Sequence, residues 1–471
     1  YLGLPLLASK MSSMDCKVLL DKLTRRTSSW MCNSLSFGGR IQLMTSVLFS
    51  IQVFWCSTYI LPVAVTKECD RIMRSFLWHG TGYGKKSGKV AWSRVCKPKK
   101  EGGLGFVGCR VWNQATIMKI GWEICQKKAS IWTDWCYKVF LKENSFWAAK
   151  LNYNCSYSRR NVLKARNLLA NYLHYEIGDG MSTSLWFDPW LSGVSLVDRY
   201  GESVIQESRL QRNARLSSVI KEGEWDWPIN FPDFIDISNL TSGLSLSNTS
   251  DRIHWMKKGG TFTIRDACNV INMQGSEVEW WKIVWFPGSI PKHCFCVWLT
   301  FWEARRTLDK LVRWGVVSTS NCCFSCGQEE SIDHLFFSCP FTARVWKHFL
   351  GLCGFRRRPR GWREESVWCI SRLKGNGFKL WITKLTLAAV LYHCWQERNN
   401  RLFNNCFHNF EYLVKCIEED VGGKCSGLTM VEDNPRNRDI FSNWNLPPSL
   451  LTVRPPQRWA VLPGSGGGHT R

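Results

Sequence analysis

The densest concentration of ligand-type side chains lies in CCFSCGQEESIDHLFFSCPF, beginning at Cys322. Cys323, Cys326, His334 and Cys339 follow the spacing C-x2-C-x7-H-x4-C. Two cysteines two residues apart reach one ion from a tight turn, here with Phe324 and Ser325 at its corner, and Gly327 permits the chain to fold back. A neutral imidazole and a third thiolate complete the four N/S donors of a structural, closed Zn²⁺ site. Cys322 takes the place of Cys323 if the turn shifts by one residue. Three buried thiols and a satisfied histidine are the competing expectation. Cys294 and Cys296 form a C-x-C pair in an apolar run and are read as core.

Basic and aromatic residues interleave between Phe76 and Lys100. Lys85, Lys86, Lys89, Arg94, Lys97, Lys99 and Lys100 are candidates for phosphate contacts. Trp78 and Trp92 belong either to base stacking or to the core. Arg356, Arg357, Arg358 and Arg360 form a second candidate run. No P-loop, G-x-S-x-G, H-E-x-x-H or adjacent Asp-Asp pair occurs, so no catalytic residue is assigned. Asp179 and Asp188 flank a turn, where capping or Asx-turn roles are expected ahead of a carboxylate pair.

Helices must position these groups. Val18, Leu19 and Leu23, then Ile41, Met44, Val47 and Leu48, then Ile72, Met73 and Phe76 recur at helical spacing. A hairpin is expected around Val90 to Val95, a turn at IGDG (Ile177–Gly180) followed by a strand-like SLWF, and a hairpin strand in KKGGTFT before the next helix. The expected class is mainly α with small β hairpins (α+β): a helical thumb and connector region plus a small zinc-binding module. The uncharged stretch from Ile41 to Thr66 is long enough to span a bilayer, but its polar residues and Pro62 favour a half-buried helix and no membrane partner.

The chain of 471 residues carries a net charge of +24, with 27 Trp and 22 Cys. Residues 1–110 hold 17 Lys and Arg against 5 Asp and Glu, half of that net charge in under a quarter of the length. Such a field attracts polyanions. Cysteines scattered through a long chain indicate reduced thiols, and hence an intracellular location in nucleus or cytoplasm.

Taken together, YLGLPL at the start, LSFGGR (Leu35–Arg40), KPKKEGGLGF (Lys97–Phe106), IGDG…WFDPW (Ile177–Trp190), IPKHCFCVWL…LDKLVRWG (Ile290–Gly315), the cysteine cluster and CWQERNNRLF (Cys394–Phe403) resemble the C-terminal part of plant non-LTR (LINE-type) retrotransposon reverse transcriptases over about residues 1–410. The resemblance implies a reverse-transcriptase zinc-binding domain with Cys323, Cys326, His334 and Cys339 as ligands. It also implies thumb-like helices gripping an RNA or DNA primer–template through phosphates, and palm aspartates upstream of Tyr1. The chain is therefore expected to be a catalytically incomplete fragment, not an enzyme by itself; the alternative is a zinc-stabilised protein-interaction module. The expected segments are 1–110 (end of palm and thumb), 111–275 (connector), 276–365 (zinc-binding domain), 366–420 (C-terminal helices) and 421–471 (a disordered tail).

Overall fold

The computed structural model describes residues 4–5, 10–30, 35–80, 88–142, 144–151, 156–228, 231–272, 275–428 and 430–452. Lys85 and Lys86 lie outside the described residues, as do positions 453–471 of the expected tail. The fold is mainly α-helical, and the described strands form three two-stranded ladders. Leu173–Glu176 pairs antiparallel with Arg252–Trp255, Ile220–Lys221 forms a hairpin with Glu224–Trp225, and Val431–Glu432 pairs parallel with Leu451–Thr452.

Three local expectations change. The expected hairpin around Val90–Val95 is a helical turn, Trp92–Val95, in which the Arg94 and Val95 N–H groups both donate to the Ala91 carbonyl. The strand near KKGGTFT lies earlier, at Arg252–Trp255, and the glycines make its turn, with Gly259 at φ 74° and the Trp255 N–H donating to the Gly260 carbonyl. Residues 421–452 are not an unstructured tail. They complete the Phe410–Cys425 helix and form the Pro435–Asn443 helix, which is capped by Asn434 and buries Ile440 and Phe441.

The Phe37–Thr58 helix continues through a π turn at Met44–Leu48, and it is long and apolar enough to cross a membrane. Its exposed positions are Gln42, Thr45, Ser46, Ser50, Phe54, Ser57 and Thr58, whereas Met44, Leu48, Gln52, Trp55 and Cys56 are buried. Polar residues thus dominate the exposed stripe and apolar residues the buried one, with Phe54 and Gln52 the exceptions, the pattern of a helix half-buried in protein. Hydroxyls of this stripe return to carbonyls one turn back, as Ser46 does to Gln42 and Ser57 to Val53.

Two compact units result, each assembled from separated stretches of chain: 1–26, 47–72 and 107–273 in one, and 27–46, 73–106 and 274–471 in the other. They cut across the expected boundaries at 110, 365 and 420, because the second unit joins distant segments. Within it, Phe37 stacks on Phe295 at 4.8 Å, and the indoles of Trp298 and Trp302 both donate to the Gly102 carbonyl.

In the first unit the IGDG turn wraps a carboxylate. Asp251 accepts the N–H groups of Gly178 (2.8 Å), Gly180 (3.0 Å), Ser182 (3.1 Å) and Thr183 (3.0 Å), plus the hydroxyls of Ser182 and Thr183. A side chain at Gly178 would meet the Thr249 carbonyl, so only glycine fits. Asp179 caps its own turn through the Met181 N–H. Asp188 is buried against the Ser145 hydroxyl and the Ser184 N–H, and burial pushes its carboxyl up to about 6. Asp179 therefore makes the expected turn contact, whereas Asp188 is a buried carboxyl that ties Ser145 to Ser184. Trp190 stacks on both Trp225 and Trp227, so WFDPW is core.

Burial raises the Asp251 carboxyl, but the N–H and hydroxyl donors outweigh it and hold the group below its ordinary value. A depressed folded value contributes stability above about pH 4 that is lost as pH falls through the folded value. Asp251→Ala leaves several donors without a partner and should cost about 3 kcal/mol by urea unfolding. It should also flatten the acid limb of the stability profile. An unchanged acid limb would show that the cradle is not what titrates.

Candidate metal centre and basic pocket

The second unit brings Cys322, Cys326, His334 and Cys339 together, with all four donor atoms within 4.8 Å of one another. The Sγ atoms of Cys322 and Cys339 are 3.9 Å apart, and Cys326 Sγ is 3.2 Å from His334 Nε2. Donors tetrahedral about Zn²⁺ at ordinary bond lengths stand roughly 3.5–3.8 Å apart, so the donor set and its spacing fit that ion.

The structure groups Cys322, and not the expected Cys323, with the other three donors, and the reason lies in the turn. The Ser325 N–H donates to the Cys322 carbonyl, which places Cys323 and Phe324 at the corner. The Cys322 N–H donates in turn to the Gln328 carbonyl, and Asn321 bridges Glu329. Ser325 and Gly327 take positive φ of 56° and 77°, folding Cys326 back towards Cys322. Cys322 is buried, whereas Cys323 is half-buried beside it and outside the four-atom set. The grouped donors are spaced C-x3-C-x7-H-x4-C.

The other two ligands come from one turn and one helix start. His334 opens a π turn whose Phe337 has φ 89°, and Leu335, Phe336 and Phe337 pack into the core. Cys339 is the N-cap of the Pro340–Leu352 helix, where the helix dipole favours a thiolate. The hydrogen bond with Cys323, followed by burial, pushes the Cys322 thiol up to about 12. The Cys322 thiol and burial raise Cys339 still further. Burial lowers His334, which keeps its imidazole in the neutral, ligating form. Crowded thiols resist ionisation until a cation enters, which inverts the balance.

The knuckle is anchored through Glu330. This carboxylate is fully buried and accepts from Nε (3.1 Å) and Nη2 (2.7 Å) of Arg398 and from the Leu308 N–H (2.9 Å). Arg398 lies on the Phe378–Phe403 helix and also donates to the Arg306 carbonyl. Arg401, from the same CWQERNNRLF segment, lies over the stacked rings of Phe324 and Phe341 beside the cysteines. Cys294 and Cys296 are core, as read from the sequence.

A pocket of about 800 Å³ opens in the same unit, lined by Lys89, Arg94, Arg305, Arg306, Lys310 and Arg313 with one acid, Glu303. Trp302 and the exposed Trp314 flank it. Arg305 is buried, with Nε unpartnered and Nη2 on the Cys296 carbonyl. Burial first, then Arg305 and Arg306, lower Lys89 to about 8. Arg94 lies over the Trp302 ring, and Arg313 pairs with Asp309 at 3.0 Å.

Of the sequence candidates among the described residues, only Lys89 and Arg94 line this pocket. Lys97 pairs with Glu101, Lys100 with Glu277, and Lys99 lies over Trp285. Trp78 and Trp92 pack inward, against Phe37 and Phe106 respectively. In the arginine run, Arg357 pairs with buried Glu365 and Arg360 with Glu364. Sequence reasoning missed Arg305, Arg306, Lys310 and Arg313. Their signal was the density of cations in EARRTLDKLVRWG, where Lys310 and Arg313 stand three apart on the Leu308–Arg313 helix and Arg305 and Arg306 precede it.

Cys322→Ser and Cys326→Ser should each cut Zn²⁺ affinity by about 100-fold or more in chelator competition, with Cys323→Ser close to the parent. Equal losses for Cys322→Ser and Cys323→Ser would contradict the geometry. Arg398→Met leaves Glu330 charged and buried, and should cost about 3–5 kcal/mol in denaturant unfolding.

Residues 262–346, which contain all four ligands, match the family described as zinc-binding in reverse transcriptase. The chain is similar to a putative ribonuclease H protein of Arabidopsis thaliana, at 27% identity over 425 residues, 85% of this chain. That match spans 66% of the relative's length, just under two thirds. It is also similar to an uncharacterised mitochondrial protein of Arabidopsis thaliana, at 28% identity over 143 residues, which is 30% of this chain and 93% of that protein. Residues 262–346 are thus similar to a reverse-transcriptase zinc-binding domain, in a chain that resembles two proteins of Arabidopsis thaliana over larger stretches.

Proposed function

We propose that this chain is a nucleic-acid-handling part of a reverse transcriptase, in which a structural zinc module holds a basic pocket that grips the phosphates of RNA or DNA. The carrying observation is the pocket itself, where six cations face one lining acid. Two indoles at its edge offer faces for unpaired bases. In this reading Zn²⁺ sits on Cys322, Cys326, His334 and Cys339. Four protein donors leave it no open position, so its role is to fix backbone.

The reading assigns no catalytic residue to the described part of the chain; polymerisation belongs to the parent protein. An intracellular setting, nucleus or cytoplasm, goes with it, and no disulfide joins any two of the described cysteines.

Binding of a labelled RNA or primer–template, followed by fluorescence polarisation, should weaken steeply with salt. With about four phosphate contacts, the slope of log K against log salt is about −3. Reversing Arg306, Lys310 and Arg313 to Glu should collapse this binding and leave bound zinc unchanged. Affinity indifferent to ionic strength, or to the reversal, would favour a protein-docking role instead.

Lys89 adds a pH dependence. Its lowered proton affinity means that an entering phosphate, which favours the ammonium, draws a proton onto it. Binding should therefore weaken as pH rises through about 8. Lys89→Met should remove that step while the salt dependence persists.

A further inference from the structure

A second group of ligand-type side chains lies apart from the cysteine cluster. His293 is on the Pro291–Phe301 helix, His393 on the Phe378–Phe403 helix and Asp420 on the Phe410–Cys425 helix. Asp420 Oδ2 stands 2.8 Å from His393 Nε2 and 3.2 Å from His293 Nε2, and all three donor atoms lie within 4.8 Å of one another. Donors sharing one divalent ion at bond lengths of about 2.0–2.2 Å stand roughly 3 Å apart, close to these separations.

An independent observation points the same way. His293 is fully buried, yet neither ring nitrogen makes a hydrogen bond. Its approach to Asp420 has the distance of a contact but not the alignment of one. Tyr392, with ring centroids 4.5 Å apart, fixes the imidazole by packing. A buried polar group left without a partner costs about 1–3 kcal/mol, and a metal bond at Nε2 removes that cost at one nitrogen.

We propose that His293, His393 and Asp420 form a second divalent-cation site, of the two-histidine, one-carboxylate type, separate from the thiolate cluster. Nitrogen and oxygen donors without sulfur suit Zn²⁺, Fe²⁺ or Mn²⁺, and three ligands leave positions for water. Three helices meet at the site, so an ion there ties the long Phe378–Phe403 helix to its two neighbours. Lys292 is the competitor. Its Nζ lies 3.5 Å from Asp420 Oδ2, on a side chain 38% exposed that crosses the Tyr392 ring. It is free to swing towards solvent when an ion takes the carboxylate.

Titration of the metal-stripped full chain with Co²⁺ tests this, because thiolate-bound Co²⁺ has a sulfur-to-metal charge-transfer absorption that a His/Asp site lacks. The parent should bind two equivalents, one with that absorption and one without. His393→Gln and Asp420→Asn should each bind one, keep the absorption, and retain the parent's far-ultraviolet circular dichroism. Lys292→Ala should tighten the equivalent without charge transfer by about fivefold. A parent that binds a single, thiolate-type equivalent overturns the proposal, as does a parent count of two preserved in both ligand variants. If both variants lose their dichroism, the parent's stoichiometry and the Lys292→Ala shift decide: two equivalents with the shift support the site, and no shift rejects it.

Discussion

The buried pair of Glu330 and Arg398 is the contact on which the second unit turns. Removing both charges from water is expensive, and a bare pair gains little over a hydrophobic one. Here the carboxylate takes three donors, two from the guanidinium and one from the Leu308 N–H. The backbone of Glu330 is also engaged, its N–H on the Ser320 carbonyl and its carbonyl on the Asp309 N–H. One residue therefore fixes three pieces of chain: the knuckle loop, the start of the Leu308–Arg313 helix and the Phe378–Phe403 helix. What the pair supplies is registry between those pieces, which apolar contacts alone would leave free to slide.

That registry couples the metal centre to the basic pocket. Glu330 lies between the ligands Cys326 and His334, and the backbone it holds at Leu308 and Asp309 leads directly into Lys310 and Arg313. The Arg398 guanidinium also reaches the Arg306 carbonyl. A cation bound by the thiols and His334 closes the loop from one side, and the ion pair closes it from the other. Two such closures make sense for a segment carrying four cations close together, since their mutual repulsion acts to spread it.

Much of this was legible in the sequence, for identifiable reasons. Ligand residue types and a knuckle spacing depend on local geometry, so the cluster could be read directly. Whether Cys322 or Cys323 leads depends on which residue takes the corner of a turn, and a one-residue shift leaves no mark in composition. Helical class followed from apolar periodicity, whereas the hairpin expected at Val90–Val95 failed because so short a run carries no decisive period and closes a single helical turn on the Ala91 carbonyl. The Pro435–Asn443 helix was hidden by polar composition, since its stability comes from an Asn434 cap and two buried side chains. Arg398 lies 68 residues from Glu330, and the donors to Asp251 lie 68 to 73 residues from it, and no local pattern announces such pairs.

The two cationic runs show where sequence reading stops. Arg357 and Arg360 look, as a string, like a better phosphate site than anything near Lys310. Folding gives each of them a glutamate: Arg357 meets a fully buried carboxylate and Arg360 an exposed one four residues on. Their charge is largely spent on structure. Around the pocket the balance is reversed, with six cations, of which Arg313 is paired with Asp309, to one lining acid, and a lysine whose proton affinity is lowered by burial and by its arginine neighbours. Like charges held together in the folded state oppose folding, so their persistence has to be offset elsewhere, here by the buried ion pair of Glu330 and Arg398. A bound anion would lower that repulsion directly. The diagnostic quantity is therefore uncompensated charge on a fixed backbone, and only the fold reveals which arginines carry it.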